Sequence, residues 1–486
     1  MRTKYFNIII GCFLLMILSS CKKYINLAPI DATYDQVFWA DGNNAENGLS
    51  GAYGLLRDGF EDDRSFFVFG DLPSDEFIML NPPYWNYQSL QHSGGFKYSY
   101  APYLAESLQN WTRFYKVINQ CHLVCENVPN ISADKFSGGQ SEKDDIIGEG
   151  HFLRAYTYFY ITRVWGDPVL TTSSIKNPQD VVPLPRTSED TVLNYCIQDL
   201  KTAAALLPFY SGTDRDKVHA DKGAAWATLA QVYAWQHDYQ NAALYCDSVI
   251  NSGQYSLETI DNYNAIWLGS DPENIFEINM KYNAQNNEAT GFFFGEFLSD
   301  PFIKGQGLQW EINPDNIQYI FPDTARDQRY SKVTAAVTDG RILSKYANVD
   351  YYDPNDQYAY VVNNNLVVER LADIYLLKAE ASNALGNTAD ALLNLNKIRE
   401  RAGLPDTTIA GGNDLKIAIM DERLRELIGE GCVAFDMIRT GTLLNYFGDV
   451  YTQERIDKKG YYWPLDMRTL LPQDILLTQN PWWANH

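Results

Sequence analysis

The residues best suited to chemistry stand in two aromatic stretches, "SDEFIMLNPPYWNYQ" (74–88) and "GFFFGEFLSDPFIKGQGLQW" (291–310). Sugar rings stack their flat C–H faces on aromatic side chains, while their hydroxyls need short polar partners. Asp75, Tyr84, Trp85 and Asn86 in the first stretch, and Phe293 and Trp310 in the second, offer that combination. These six are the candidate ligand contacts. The competing reading is that the rings pack the two loops onto a scaffold, since aromatic side chains are often buried. A second chemistry is acid–base catalysis. Asp71, Asp75 and Glu76 could supply the carboxyl pair of a glycosidase, which needs its two groups at a defined separation. In a chain with 61 acidic residues, a solvated acidic loop is the plainer account.

Other chemistries lack their residues. The six histidines are scattered, with no His-Glu-x-x-His pattern for zinc. There is no Gly-x-Ser-x-Gly elbow, no phosphate-binding Walker loop and no calcium loop of the EF type. "GQGLQW" (305–310) lacks the third glycine of a dinucleotide fingerprint. The sequence therefore calls for no cofactor, no metal and no catalytic residue.

The start of the chain fixes the compartment. Arg2 and Lys4 precede a run from Phe6 to Leu18 that is almost wholly apolar. Spanning a bilayer takes about 20 residues, so this run fits the ~7–15-residue core of a secretory signal instead. Leu18-Ser19-Ser20-Cys21 resembles a bacterial lipobox, where the chain is cut before a cysteine whose sulfur is acylated. Residues 1–20 read as a signal peptide and Cys21 as the lipidation site; an ordinary signal with an incidental cysteine is the alternative. Loss of Arg2 and Lys4 would take the net charge from −22 to −24. Such a chain is repelled by nucleic acid and by anionic lipid, so acyl chains alone would hold it at a membrane. Cys12 and Cys21 aside, five cysteines remain, an odd number with no Cys-x-x-Cys pair. The fold is not disulfide-built, and Cys121 and Cys125, four apart, read as small buried apolar residues.

The elements that must position these residues are helical and come in pairs. Asp221 is placed to cap "KGAAWATLAQVYAW", and "YQNAALYCDSVI" follows after a turn at His237-Asp238. Ile374, Leu377, Ala381 and Leu385 make one apolar face, Gly386-Asn387 turns the chain, and a second helix stops at Gly403. Both units are close to the roughly 34 residues of a tetratricopeptide repeat. Further pairs are expected near 106–168, from 191 into the helix at 221, and near 414–440. Tyr156, Tyr158, Phe159 and Tyr160 put aromatics almost all round one helix, which predicts burial on several sides. Residues 60–100 and 255–365 are rich in Gly, Pro, Asn, Asp and aromatics, and read as ordered excursions with short strands at most. The fold class is mostly α, a tetratricopeptide-like scaffold with a large loop-rich ligand region.

At this point the sequence resembles a known family. "HFLRAYTYFYITRVWGDPVL", "ERLADIYLLKAEASNALGN", "LNKIRERAGLP", "DERLRELIGEGCVAFDMIRTG" and the tail "YYWPLDMRTLLPQDILLTQNPWW" resemble, in order, blocks of the SusD/RagB nutrient-binding lipoproteins of Bacteroidetes. With the lipobox, the likeness covers residues 21–486 as one SusD-like domain. It implies an outer-membrane lipoprotein facing the exterior. Such a protein binds a glycan or other nutrient and hands it to a SusC-like, TonB-dependent transporter without catalysis. The helical repeats would sit on the transporter and the loops would hold ligand, near Asp75, Trp85 and Trp310. Two alternatives stand beside it: a surface glycoside hydrolase using loop carboxylates, and a repeat scaffold that binds only proteins.

Overall fold

Short polar side chains start the helices that the sequence marks. Asp221 accepts the Ala224 N–H at 2.9 Å, satisfying a donor that the first turn leaves without an internal partner. Asp238 does the same for Asn241 at 3.1 Å, and Asn387 for Asp390 at 3.3 Å. Gly386, with φ at 78°, makes the turn between the last two helices of this set, a backbone state that costs glycine little.

The computed structural model describes residues 37–80, 89–98, 108–210, 212, 215–281 and 292–484. Its long helices are α1 (Gly42–Glu61), α2 (Thr112–Asn127), α3 (Gly139–Trp165), α4 (Glu189–Leu206), α5 (Lys222–Trp235), α6 (Tyr239–Ile250), α7 (Leu371–Ala384), α8 (Thr388–Arg401) and α9 (Asn413–Glu426). Each helix packs on the next from α1 to α8, and α9 packs back on α7. That is a mostly α scaffold of stacked helical pairs. The aromatic helix α3 is buried on several sides, with Tyr156, Tyr158, Phe159 and Tyr160 all in the core.

Periodicity gives no warning of α1, because glycine recurs along "GNNAENGLSGAYGLLRDGFE" and each interior glycine costs a helix about 1 kcal/mol relative to alanine. Packing overrides that cost. Ala45, Leu49, Ala52, Leu56 and Phe60 are fully buried on one face against α2 and α3. A Cβ at Gly48 would stand 2.6 Å from the Trp39 ring, so that glycine is the condition of a close contact.

Short antiparallel ladders order the loop-rich stretches, and one of them, joining Phe77–Met79 to Trp310–Ile312, ties the two together. β1 (Phe77–Met79), β2 (Asn274–Ile278), β3 (Trp310–Ile312), β4 (Thr334–Val337), β5 (Gly340–Leu343), β6 (Val349–Tyr351), β7 (Tyr360–Val362) and β8 (Leu366–Arg370) pair as β1–β3, β2–β8, β4–β5 and β6–β7. Register places Phe77 opposite Ile312 and Met79 opposite Trp310, so the chain just after Asp75 is anchored to the later loop region.

A buried ionic network joins loops to helices. Arg370, at the junction of β8 and α7, meets Glu273 at 2.7 Å, Glu426 at 2.6 Å and Glu430 at 2.7 Å. Arg329 meets Asp327 and Glu422 at 2.7 Å and Glu426 at 2.9 Å. All these side chains are inaccessible or nearly so. Burying charges is unfavourable, and the penalty is offset here because each carboxylate faces several guanidinium donors.

Candidate functional site

The turn Leu72–Ser74 ends at Asp75, whose φ of 60° bends the chain toward β1. The side-chain amide of Asn316 donates to both the Asp75 carbonyl, at 2.9 Å, and its carboxylate, at 2.8 Å. Asn313 donates to the same carbonyl at 3.2 Å. Burial pushes the Asp75 carboxyl above its usual range, against the opposing pull of His92 and Asn316. His92 lies 3.7 Å from Asp75 on one side and 2.9 Å from Asp449 on the other.

Asp75 and Asn316 line a cavity of about 200 Å³ together with Tyr319, Asn445, Tyr446 and Phe447. Tyr319 is 50% exposed, so its ring is available to a ligand. Its hydroxyl donates to Asp421 at 2.7 Å, and the Tyr446 hydroxyl donates to the same carboxylate oxygen at 2.8 Å. The two rings meet edge to face, with centroids 6.2 Å apart and planes at 82°. Burial, then the bond to Asp421, pushes the Tyr319 phenol up to about 12. Rigid rings beside a carboxylate, two amides and an imidazole suit a polyhydroxylated ring.

Of the six candidate ligand contacts, Asp75 takes its place at this cavity. Tyr84, Trp85 and Asn86 lie outside the described residues, as does the lipidation site Cys21. Phe293 and Trp310 are corrected to packing roles. Trp310 is 1% exposed, held between Phe77 and Phe297 at 6.2 and 5.3 Å, and its indole N–H donates to Glu296 at 3.2 Å. Phe293 is wedged against Phe294 and Phe67 at 4.5 and 5.2 Å. Both rings are covered because they close the junction between the loop stretches.

Asp71 and Glu76 also leave the ligand surface. Both are fully buried, and Asp71 accepts the Gly431 N–H at 2.8 Å. Burial pushes both carboxyls well above their usual range. Only Asp75 of the three candidate acid–base carboxylates reaches the cavity. Sequence reasoning missed His92, Asn316, Tyr319, Tyr446 and Asp449. The composition of "NPDNIQY" (313–319) could have flagged Asn316 and Tyr319; Tyr446 and Asp449 arrive from more than 100 residues further along and carry no local signal.

Comparison with known proteins places this arrangement in context. Residues 186–483 match the family model described as "SusD family", and residues 79–234 match one described as "Starch-binding associating with outer membrane". The chain is 28% identical over 531 residues to SusD-like protein P38 of Formosa agariphila, covering 99% of this chain and 100% of that protein. It is 26% identical over 503 residues to a SusD-like protein of Bacteroides ovatus, covering 93% and 86%. A solved SusD homolog from Bacteroides thetaiotaomicron superposes with a TM-score of 0.77 at 26% identity, covering 91% of this chain and 98% of that one. Among the described residues, no helix is long and apolar enough to cross a membrane.

Proposed function

For a chain that belongs to the SusD family, we propose non-catalytic capture of a glycan at the cavity beside Asp75. The observation that carries this reading is the Tyr319–Tyr446 ring pair lining one cavity with Asp75 and Asn316, with His92 behind Asp75 at 3.7 Å. The rings supply stacking faces and the amides, imidazole and carboxylate meet hydroxyls, while Asp71 and Glu76 are buried away from any bond they could cleave. The proposal continues to the membrane: Cys21 carries the acyl anchor, the body faces the exterior, and the bound sugar passes to a SusC-like, TonB-dependent transporter. The family description of outer-membrane association supports that placement.

Calorimetry against a panel of oligosaccharides, paired with an assay for new reducing ends, tests the reading. Binding without cleavage is expected, and Tyr319→Ala should weaken the measured affinity about fivefold, the equivalent of roughly 1 kcal/mol of ring contact. Cleavage at enzyme-like turnover would replace it with the hydrolase reading. Unchanged affinity in both Tyr319→Ala and Asp75→Ala would move the site elsewhere.

A further inference from the structure

A cavity of about 220 Å³ lies where α1 meets the segments that carry His219 and Asn279. Ser50, Gly54 and Arg57 of α1 line it with those two residues, and its walls share no residue with the Asp75 cavity. Among the described residues no carboxylate lines it, although the chain holds 61 acidic residues and a net charge of −22. The cavities that include Asp75, Glu380 and Asp261 each carry an acid. This one presents a guanidinium, an imidazole, an amide and a hydroxyl instead.

His219 is held from behind. Glu149 of α3 is fully buried and accepts four donors: the Tyr53 hydroxyl at 2.5 Å, Nη1 of Arg215 at 2.7 Å, Nδ1 of His219 at 2.7 Å and the Tyr210 hydroxyl at 3.1 Å. The Tyr53 hydroxyl in turn accepts the Ala220 N–H at 2.9 Å, and its ring lies 4.9 Å from the imidazole. These contacts fix the imidazole and commit Nδ1, so Nε2 is the nitrogen that remains for the cavity. Burial works to lower the His219 pKa, but Glu149 outweighs it and raises it. That favours the cation, in which Nε2 is a donor. Glu46 is paired with Arg215, and neither Glu46 nor Asp145 lines the cavity.

We propose that this cavity is an oxyanion site, taking one small carboxylate or sulfate group, borne by an acidic sugar or free in solution. A planar guanidinium such as that of Arg57 matches two oxygens of such a group at once. His219 adds a second cationic donor, and Ser50 and Asn279 meet the remaining lone pairs. The apolar side chains of Val218 and Ile278 in the walls lower the local dielectric and strengthen the attraction. At about 220 Å³ the cavity is smaller than the ~300–1,000 Å³ that holds a drug-sized ligand, so it suits one anionic group or one sugar ring.

Titration of the folded chain, labelled with carbon-13 at histidine Cε1, tests the proposal by nuclear magnetic resonance at pH 6.5, the ordinary midpoint of histidine. Sodium sulfate and sodium glucuronate are the probes, with methyl glucoside as the uncharged control and sodium chloride at matched ionic strength. Both oxyanions are expected to move the His219 signal, assigned by its loss in His219→Gln, and to saturate it. A tighter curve for glucuronate assigns the group to an acidic sugar, and equal curves assign it to a free oxyanion. A Cβ at Gly54 would meet nothing within 4 Å, so Gly54→Asp sets a carboxylate in the wall without a clash, and Gly54→Asn is its uncharged match. Sulfate affinity should be about tenfold weaker in Gly54→Asp than in Gly54→Asn, from one like charge beside the bound anion. A His219 signal moved no further by the oxyanions than by chloride or methyl glucoside overturns the proposal, as does equal affinity in the two Gly54 variants. If Gly54→Asp does not fold, the comparison with chloride on the unsubstituted chain still decides. Tyr319→Ala should leave the sulfate curve unchanged, so failure here and failure at the Asp75 cavity are read separately.

Discussion

Tyr319 and Tyr446 come from segments more than 100 residues apart and send their hydroxyls to one oxygen of Asp421, at 2.7 and 2.8 Å. A single acceptor therefore fixes both rings, and the ring pair is built before any ligand arrives. Preorganised rings lose little further freedom on binding.

The first prediction follows from that shared oxygen. Asp421→Asn keeps the volume but replaces a charged acceptor of two hydroxyls with a neutral amide. Glycan affinity is expected to fall about threefold, from the loss of charge-assisted bonds, with a change in melting temperature of no more than a few degrees. Calorimetry on the two proteins checks it; an unchanged affinity would mean that the rings hold their places unaided.

Trp310 separates packing from binding. Its burial between Phe77 and Phe297 predicts that Trp310→Ala destabilises the fold by about 3–5 kcal/mol. Affinity measured below the melting temperature should stay within about twofold. Chemical denaturation with calorimetry reads both, and the opposite pattern would restore Trp310 to the ligand surface.

Glu422 sets an acid limit. Burial pushes its carboxyl up, but Arg329, Arg425 and Arg399 outweigh this and hold it at about 2, below its ordinary 4.5. A depressed carboxyl contributes stability that is present above about 4.5 and is lost as pH falls toward 2. The melting temperature should drop steeply across that window. Glu422→Gln, which leaves buried guanidinium groups short of a partner, should cost about 3–5 kcal/mol at neutral pH and flatten the acid slope. A retained slope in that variant would assign it to other carboxylates.

Glu369 has the reverse sign. Burial pushes it up to about 8, although the Thr228 hydroxyl donates to it at 2.7 Å. The folded chain then binds the proton more tightly than the unfolded one. Its contribution is complete below the ordinary 4.5 and declines as pH rises through about 8. Glu369→Gln mimics the protonated acid, so it should raise the melting temperature at pH 8 and have little effect at pH 4. A lower melting temperature at pH 8 would show that the carboxylate is needed ionised.

The helical scaffold was legible wherever a periodic apolar face met a local stop or start, as at Asp221 and at Gly386-Asn387. α1 was not, since its glycines are met by residues outside the helix, Gly42 by Phe136, Gly48 by Trp39 and Gly59 by Phe114 of α2. At the candidate cavity the loop that carries Asp75 was marked by its composition. Phe293 and Trp310 looked the same as surface rings because aromatic composition does not say which face of a loop is covered.

By itself the sequence determined what is written in neighbouring residues: the helix periods and caps, the acidic charge and the aromatic richness of two long stretches. The tertiary structure alone decided which rings meet solvent. Trp310 is sealed by strand register with Phe77's segment, while Tyr319 and Tyr446 are brought together by an aspartate on α9. The physical reason is range: propensity and periodicity act over a few residues, whereas exposure and shared hydrogen-bond acceptors depend on contacts between parts of the chain that no local pattern records.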